Sequence, residues 1–251
     1  METTNRGIEI LPITGIPEIR PGDELAGLIA RTAGVWLRAG DILVVTHKVI
    51  SKAEGRIVGL DSVEPSALAK RFAAEHGKDP RQIEVVLRES RRIVRMDRGV
   101  IISETHHGFV CANAGVDASN VPGRESVCLL PADPDASALK LRELLRDLTD
   151  LDLPVIVSDS FGRAWRFGIM DVAVGVSGMD PLADYRGGKD PHGNPLEASV
   201  LAVADELAAA AELVMGKTDG VPAAVVRGYG YERAAGSGKD LLMPPERDMF
   251  R

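Results

Sequence analysis

Cysteine is almost absent from this 251-residue chain: Cys111 and Cys128 are the only two. Two isolated thiols do not make a disulfide framework, and a reduced, cytoplasmic setting fits them best. Positive charge is not in excess either, since 30 Lys and Arg stand against 37 Asp and Glu for a formal net charge of −7. Long-range attraction to nucleic acid or anionic lipid is therefore not expected, although a single cleft can still be basic. No apolar run is long enough to cross a bilayer. The start, METTNRGIEILPITG, lacks the basic region and apolar core of a signal peptide. There is no internal repeat, low-complexity linker or clear domain boundary.

Several motifs are also missing. GxxxxGK[ST] does not occur, not even at VMGKTDG, and GRAWRFG is not GxGxxG, which disfavours P-loop and dinucleotide readings but leaves nucleotide binding by another fold open. HExxH, paired CxxC and GxSxG are absent, so neither a local zinc motif nor a covalent nucleophile is supported. His47, His76, His106, His107 and His192 read as scattered turn or surface residues.

What remains is an ordinary globular composition, 45% hydrophobic and 27% charged, long enough to build a real core. IEILPI reads as a strand, 23–31 as a helix and 42–46 as a buried strand. A loop is expected after it, gathering His47, Lys48, Ser51, Lys52, Glu54 and Arg56 in one mouth. Residues 65–76 read as a helix, QIEVVLRES and RRIVRM as β-like runs, and GVIISETHHGFVCANAGVDASNVPG as a strand dissolving into turns. ADPDASALKLRELLRDL is the clearest helix, with Leu139, Leu141, Leu144, Leu145 and Leu148 at helical spacing. LPVIVS is a second buried strand, followed by a loop and then by the apolar VAVGVSGM. A polar turn region precedes a helix over about 196–215, and VPAAVVRGYGYE supplies a late strand. Regular βαβ units never settle in, which favours an α+β fold with mixed, largely antiparallel sheets and packed helices.

The chemistry concentrates in SDSFGRAWRFG. Asp159 and Ser160 offer hard oxygen ligands for a divalent cation directly after a buried strand, and Arg163 and Arg166 can bind anions. Equally, the acid and serine can cap a turn while the arginines pair with surface acids. Trp165 and Phe167 read as core residues. In AGVDASN, Asp117 is a candidate second carboxylate ligand and Asn120 a candidate contact to a base edge or sugar hydroxyl, against ordinary Asx turns. Lys52 in SKAEGR suits phosphate oxygens.

Taken together, LPITGIPEIRPGDEL, SKAEGR, AGVDASN, SDSFGRAWRFG and LVMGKTDGVPAAVVRG resemble the coenzyme F420:L-glutamate ligase family, also called F420-0:gamma-glutamyl ligase, from about Ile8 to the end. The resemblance implies GTP-dependent addition of L-glutamate to F420-0, then γ-linked extension, with release of GDP and phosphate. It implies two divalent cations, Mg or Mn, together with K, and a mixed α+β fold in an intertwined homodimer. A single ligase domain over 1–251, divisible into two structural subdomains, is expected without a C-terminal nitroreductase-like domain. Nucleic acid and membranes are not expected partners.

Carried onto this chain, the GTP region comprises Ile16, Pro17, Glu18, Ile19, His47, Lys52 and Asn120, with Gly216 and Lys217 from a later motif. His47 departs from the small hydroxyl residue associated with that position. The implied metal ligands are Asp117, Asp159 and Ser160, and the implied catalytic set is Lys52, Asp117 and Asp159. Other nucleotide-dependent carboxylate–amine ligases, or a noncatalytic nucleotide-binding protein, are the alternatives these motifs leave standing.

Overall fold

Alternate residues of three apolar runs sort to opposite sides of one sheet, and this sorting places the core. Leu43, Val45, Val155, Val157, Ala223 and Val225 face one hydrophobic cluster, while Ile42, Val44, Ile156, Ala224 and Val226 face another. A strand buried on both faces loses the polar alternation of a half-exposed one, which is why ILVVT reads as continuously apolar.

The computed structural model describes residues 7–119 and 125–249. In chain order the elements are β1 (Glu9–Pro12), α1 (Leu25–Ala33), β2 (Ile42–Thr46), α2 (His47–Ala53), β3 (Ile57–Gly59), α3 (Ala67–His76), α4 (Pro80–Arg88), β4 (Ser90–Asp97), β5 (Val100–Thr105) and β6 (Val110–Ala112). They continue with β7 (Ser126–Cys128), α5 (Pro134–Thr149), β8 (Val155–Arg163), β9 (Arg166–Ser177), β10 (Ala183–Asp184), β11 (Val200–Leu201), α6 (Val203–Met215) and β12 (Ala223–Arg227). The main sheet has the order β1-β12-β2-β8-β9. Among the described residues only β2 and β8 run parallel within it; the other pairs are antiparallel. The architecture is thus mixed α+β with antiparallel pairing dominant, as expected. Helices α1 and α5 cover one face and α6 the other. A separate cluster joins α3 and α4 to Ile101 of β5, away from the main sheet.

The ends of α5 explain its clarity in sequence. The Asp133 side chain accepts the Ala136 amide, Pro134 opens the first turn, and Asp150 closes the helix in the left-handed region at φ 59. Leu141 and Leu145 are buried, but Leu139 and Leu148 are exposed, so the apolar stripe is narrower than the leucine count suggested.

Four expectations are corrected. QIEVVLRES is not β-like: most of it is α4, begun by Asp79, whose side chain accepts the Arg81 amide, with Pro80 in the first turn. The mouth expected as a loop after β2 is the helix α2. The expected loop after LPVIVS is the outer part of a long hairpin, because β8 continues to Arg163 and β9 returns from Arg166. The last helix begins at Val203, not near Leu196, since backbone groups of Leu196 and Ser199 are spent on Gly187, Gly188 and Tyr185.

Strand β9 lies at an edge of the main sheet, and three carboxylates answer its outward amides. Glu212 accepts from Asp171 N at 3.0 Å, Asp205 from Ala173 N at 2.9 Å and Asp135 from Val176 N at 2.9 Å. Burial pushes the Asp205 carboxyl above its ordinary value, with the Ala173 amide pulling the other way. No helix among the described residues is long and apolar enough to cross a membrane.

Candidate functional site

The carboxyl ends of parallel strands leave a crevice where the following segments diverge, a habitual place for ligands in open sheets. Here β2 and β8 end side by side, with Thr46 opposite Ser158. A cavity of about 620 Å³ opens at that point. The loop after β1 forms one wall through Ile16, Pro17, Glu18 and Ile19, α2 contributes Lys48 and Lys52, and β8 contributes Asp159 and Ser160. Asp171 of β9, Glu212 of α6 and the turn from Gly216 to Pro222 close the other side.

Helix α2 puts Lys48 and Lys52 one turn apart on one face. Lys52 Nζ lies 2.5 Å from Glu18 Oε1, and the lysine is buried although Glu18 is exposed. Lys48 Nζ lies 2.6 Å from Asp117 Oδ2 and 2.7 Å from Ser119 Oγ. Burial opposes ionisation of Asp117, but Lys48 and the Ser119 amide and hydroxyl outweigh it and hold the carboxyl below its usual value.

Across the cavity a third ammonium is held the same way. Gly216 ends α6 at φ 61 and ψ −171, a conformation essentially restricted to glycine, and the chain turns Lys217 back over the site. Its Nζ meets Ser160 Oγ, Glu212 Oε1 at 2.8 Å and Asp171 Oδ1 at 3.3 Å. Burial disfavours the charged lysine, yet the Glu212 and Asp171 carboxylates raise its pKa overall. Asp171 also takes hydrogen bonds from Ser158 Oγ at 2.8 Å and Ser160 Oγ at 2.6 Å. Ser160 thus gives its proton to Asp171 and keeps oxygen lone pairs for another partner.

Ten residues singled out from sequence therefore meet at one cavity: Ile16, Pro17, Glu18, Ile19, Lys48, Lys52, Asp159, Ser160, Gly216 and Lys217. Asp117 adjoins it through Lys48. His47 is fully buried behind Asp159. Arg163 and Arg166 stand opposite each other at the outer end of the hairpin, and Asn120 lies outside the described residues. Trp165 and Phe167, expected in the core, are 82% and 106% exposed, because the hairpin carries them beyond the sheet's covering helices. Sequence reasoning named Lys48 in this mouth but gave it no role, and it missed Asp171 and Glu212. The role of Lys48 would have followed from reading α2 as a helix, and Asp171 from the strand pairing that sets it opposite Ser160.

Hard oxygen donors at Asp159 and Ser160 suit a divalent cation such as Mg or Mn. The fit is supported by an orphaned atom: His47 Nε2 is buried without a hydrogen-bond partner among the described residues and faces Asp159 Oδ1 at 3.2 Å. Among the described residues no group of three His, Cys, Asp or Glu side chains is arranged to close a metal site alone. The remaining ligands would have to come from hydroxyl oxygens, water or a bound phosphate.

Comparison with known proteins agrees with the geometry. The family model F420-0:Gamma-glutamyl ligase matches residues 14–228. This chain belongs to that family. Coenzyme F420:L-glutamate ligase of Methanothermobacter thermautotrophicus is 47% identical over 251 residues, covering 98% of this chain and 99% of the relative. The protein of the same name from Methanopyrus kandleri is 48% identical, with 98% and 99% covered. That from Methanocaldococcus jannaschii is 41% identical, with 98% of each chain covered. The F420-0:gamma-glutamyl ligase match takes in every cavity residue named above, from Ile16 to Pro222.

Proposed function

We propose that this protein joins L-glutamate to coenzyme F420-0 at the expense of GTP, releasing GDP and phosphate, and then extends the product through γ-linked glutamate. The observation that carries the reading is the pairing of three ammonium groups with carboxylates around one cavity: Lys52 with Glu18, Lys48 with Asp117, and Lys217 with Glu212 and Asp171. A reaction between a carboxylate and a triphosphate brings anions together, and such pairs can change partners. The lysines would then face phosphate oxygens, and Asp117, Asp159 and Ser160 would hold two divalent cations, Mg or Mn, with K assisting. When bound, those cations neutralise phosphate charge and stabilise the transferred group.

In the first step a carboxylate oxygen of F420-0 attacks the γ-phosphorus and GDP leaves, giving an acyl phosphate. In the second, the glutamate amine attacks the acyl carbon, phosphate departs, and the nitrogen loses a proton as the amide forms. No protein nucleophile is needed. Lys52 offsets charge on the GTP tail, the loop at Ile16–Ile19 together with Asn120, Gly216 and Lys217 holds the nucleotide, and Arg163 and Arg166 meet anions. The protein's contribution is positioning and fixed charge. The same reading takes the chain as one ligase domain with two structural subdomains, acting in the cytoplasm as an intertwined homodimer.

The test is an incubation of purified protein with F420-0, GTP, L-glutamate and Mg²⁺. Glutamate-dependent GDP and a product heavier by one glutamyl residue are expected. Folded, metal-loaded protein that yields neither would overturn the reading.

A further inference from the structure

His47 stands out because a buried imidazole nitrogen rarely goes unanswered. The residue is fully buried, and its Nε2 has no partner of good geometry among the described residues. Parallel pairing sets Thr46 opposite Ser158, so the next residue of each segment, His47 and Asp159, are neighbours. Nε2 lies 3.2 Å from Asp159 Oδ1, and Nδ1 lies 3.3 Å from the Oγ of Ser51, itself fully buried.

Charge assigns the tautomer. A lone pair on Nε2 would face a carboxylate oxygen and repel it, whereas a proton there is attracted, which leaves Nδ1 to accept from Ser51. Asp159 Oδ1 also accepts the Ser160 amide at 2.7 Å, so one carboxylate oxygen faces both nitrogens.

We propose that His47 is a positioning residue for Asp159: its Nε2–H holds the carboxylate turned toward the cavity for a hard divalent cation, and its ring does not touch the nucleotide. Histidine here does for an oxygen ligand what outer-layer carboxylates do for metal-bound histidines, fixing orientation from behind. The inference rests on the cation reading given under Proposed function.

The experiment measures Mn²⁺ affinity by electron paramagnetic resonance without nucleotide, GTP affinity without metal, and melting temperature. It compares the unsubstituted protein with His47→Phe, His47→Gln, Asp159→Asn and the double variant His47→Phe with Asp159→Asn. His47→Phe should weaken Mn²⁺ binding at least about 10-fold, the scale of outer-layer losses at metal sites, and leave metal-free GTP affinity unchanged. His47→Gln, which keeps an N–H donor, should retain affinity to within about 3-fold. In the Asp159→Asn background the His47 substitution should add no further loss, since coupled residues are not additive. If His47→Phe does not fold, His47→Asn, too short to reach Asp159, should weaken Mn²⁺ binding where His47→Gln does not. Loss of metal-free GTP affinity with Mn²⁺ binding intact would overturn the proposal and make His47 a nucleotide contact. No change in either would reduce it to packing. If the unsubstituted protein binds Mn²⁺ only with GTP present, the same comparison is made in that complex; failure to bind Mn²⁺ under either condition would sink the cation reading and this inference together.

Discussion

The base and the tip of the β8–β9 hairpin are made by the same two strands yet obey opposite rules. At the base, Ser158 and Asp171 are buried, and Asp171 is tied to Ser158, Ser160 and Glu212. At the tip, Trp165, Phe167 and Ile169 are exposed apolar residues, and Trp165 takes a positive φ of 56 to make the turn. The base has its polar residues where the sheet would ordinarily be dry, and the tip has its apolar residues where water is expected. A polar interior is costly unless each group is partnered, so the base is tuned for chemistry. An apolar patch at the end of a projecting ribbon suits contact with another surface, in keeping with the homodimer proposed above.

Substitutions should separate the two regions, and the largest effect belongs to the base. Asp159→Asn keeps the shape and removes the charge; ligation should fall about 100-fold or more, the size of losing a group that stabilises developing charge. Unchanged turnover and Mn²⁺ affinity would remove Asp159 from the site. Asp171→Asn should act one layer back, loosening the Ser160 hydroxyl and weakening Mn²⁺ binding about 10-fold or more. Metal titration of the folded variant checks this, and undiminished affinity would leave Asp171 a purely structural acid. Lys52→Met should raise KM for GTP roughly 10-fold, equal to about 1.4 kcal/mol, with less change in KM for glutamate. Steady-state kinetics in each substrate decides it. The smallest chemical effect belongs to the tip: Trp165→Ser with Phe167→Ser should leave the melting temperature nearly unchanged, as surface substitutions shift stability by only about 0.5 kcal/mol. Sedimentation should nevertheless show more monomer. A collapse in stability would mean that the tip is packed in a way its exposure does not suggest.

The sequence disclosed the base better than the tip. LPVIVS is buried on both faces and is recognisable without its neighbours, and Asp159 and Ser160 follow it as polar exceptions. That the strand runs on through SDSFGR depends on pairing with β9, a long-range fact that local composition does not carry. Trp165 and Phe167 were expected inside because large aromatics usually are; only the hairpin's reach reverses that. The helix α4 was legible from Asp79 and Pro80 but was masked by its Val and Ile content, whereas packing of Ile83 and Val86 overrides strand propensity. The partnership of Glu212 with β9 could not be read at all, because it joins residues 41 apart in sequence.

That partnership reaches beyond the ligation chemistry. Glu212 uses one carboxylate oxygen for Lys217 and the other for the Asp171 amide, and with Asp205 and Asp135 it answers the outward amides of an edge strand. An unanswered edge invites a foreign strand to dock and sheets to grow without limit. The carboxylates therefore occupy amides that an edge strand would otherwise present to a neighbouring chain.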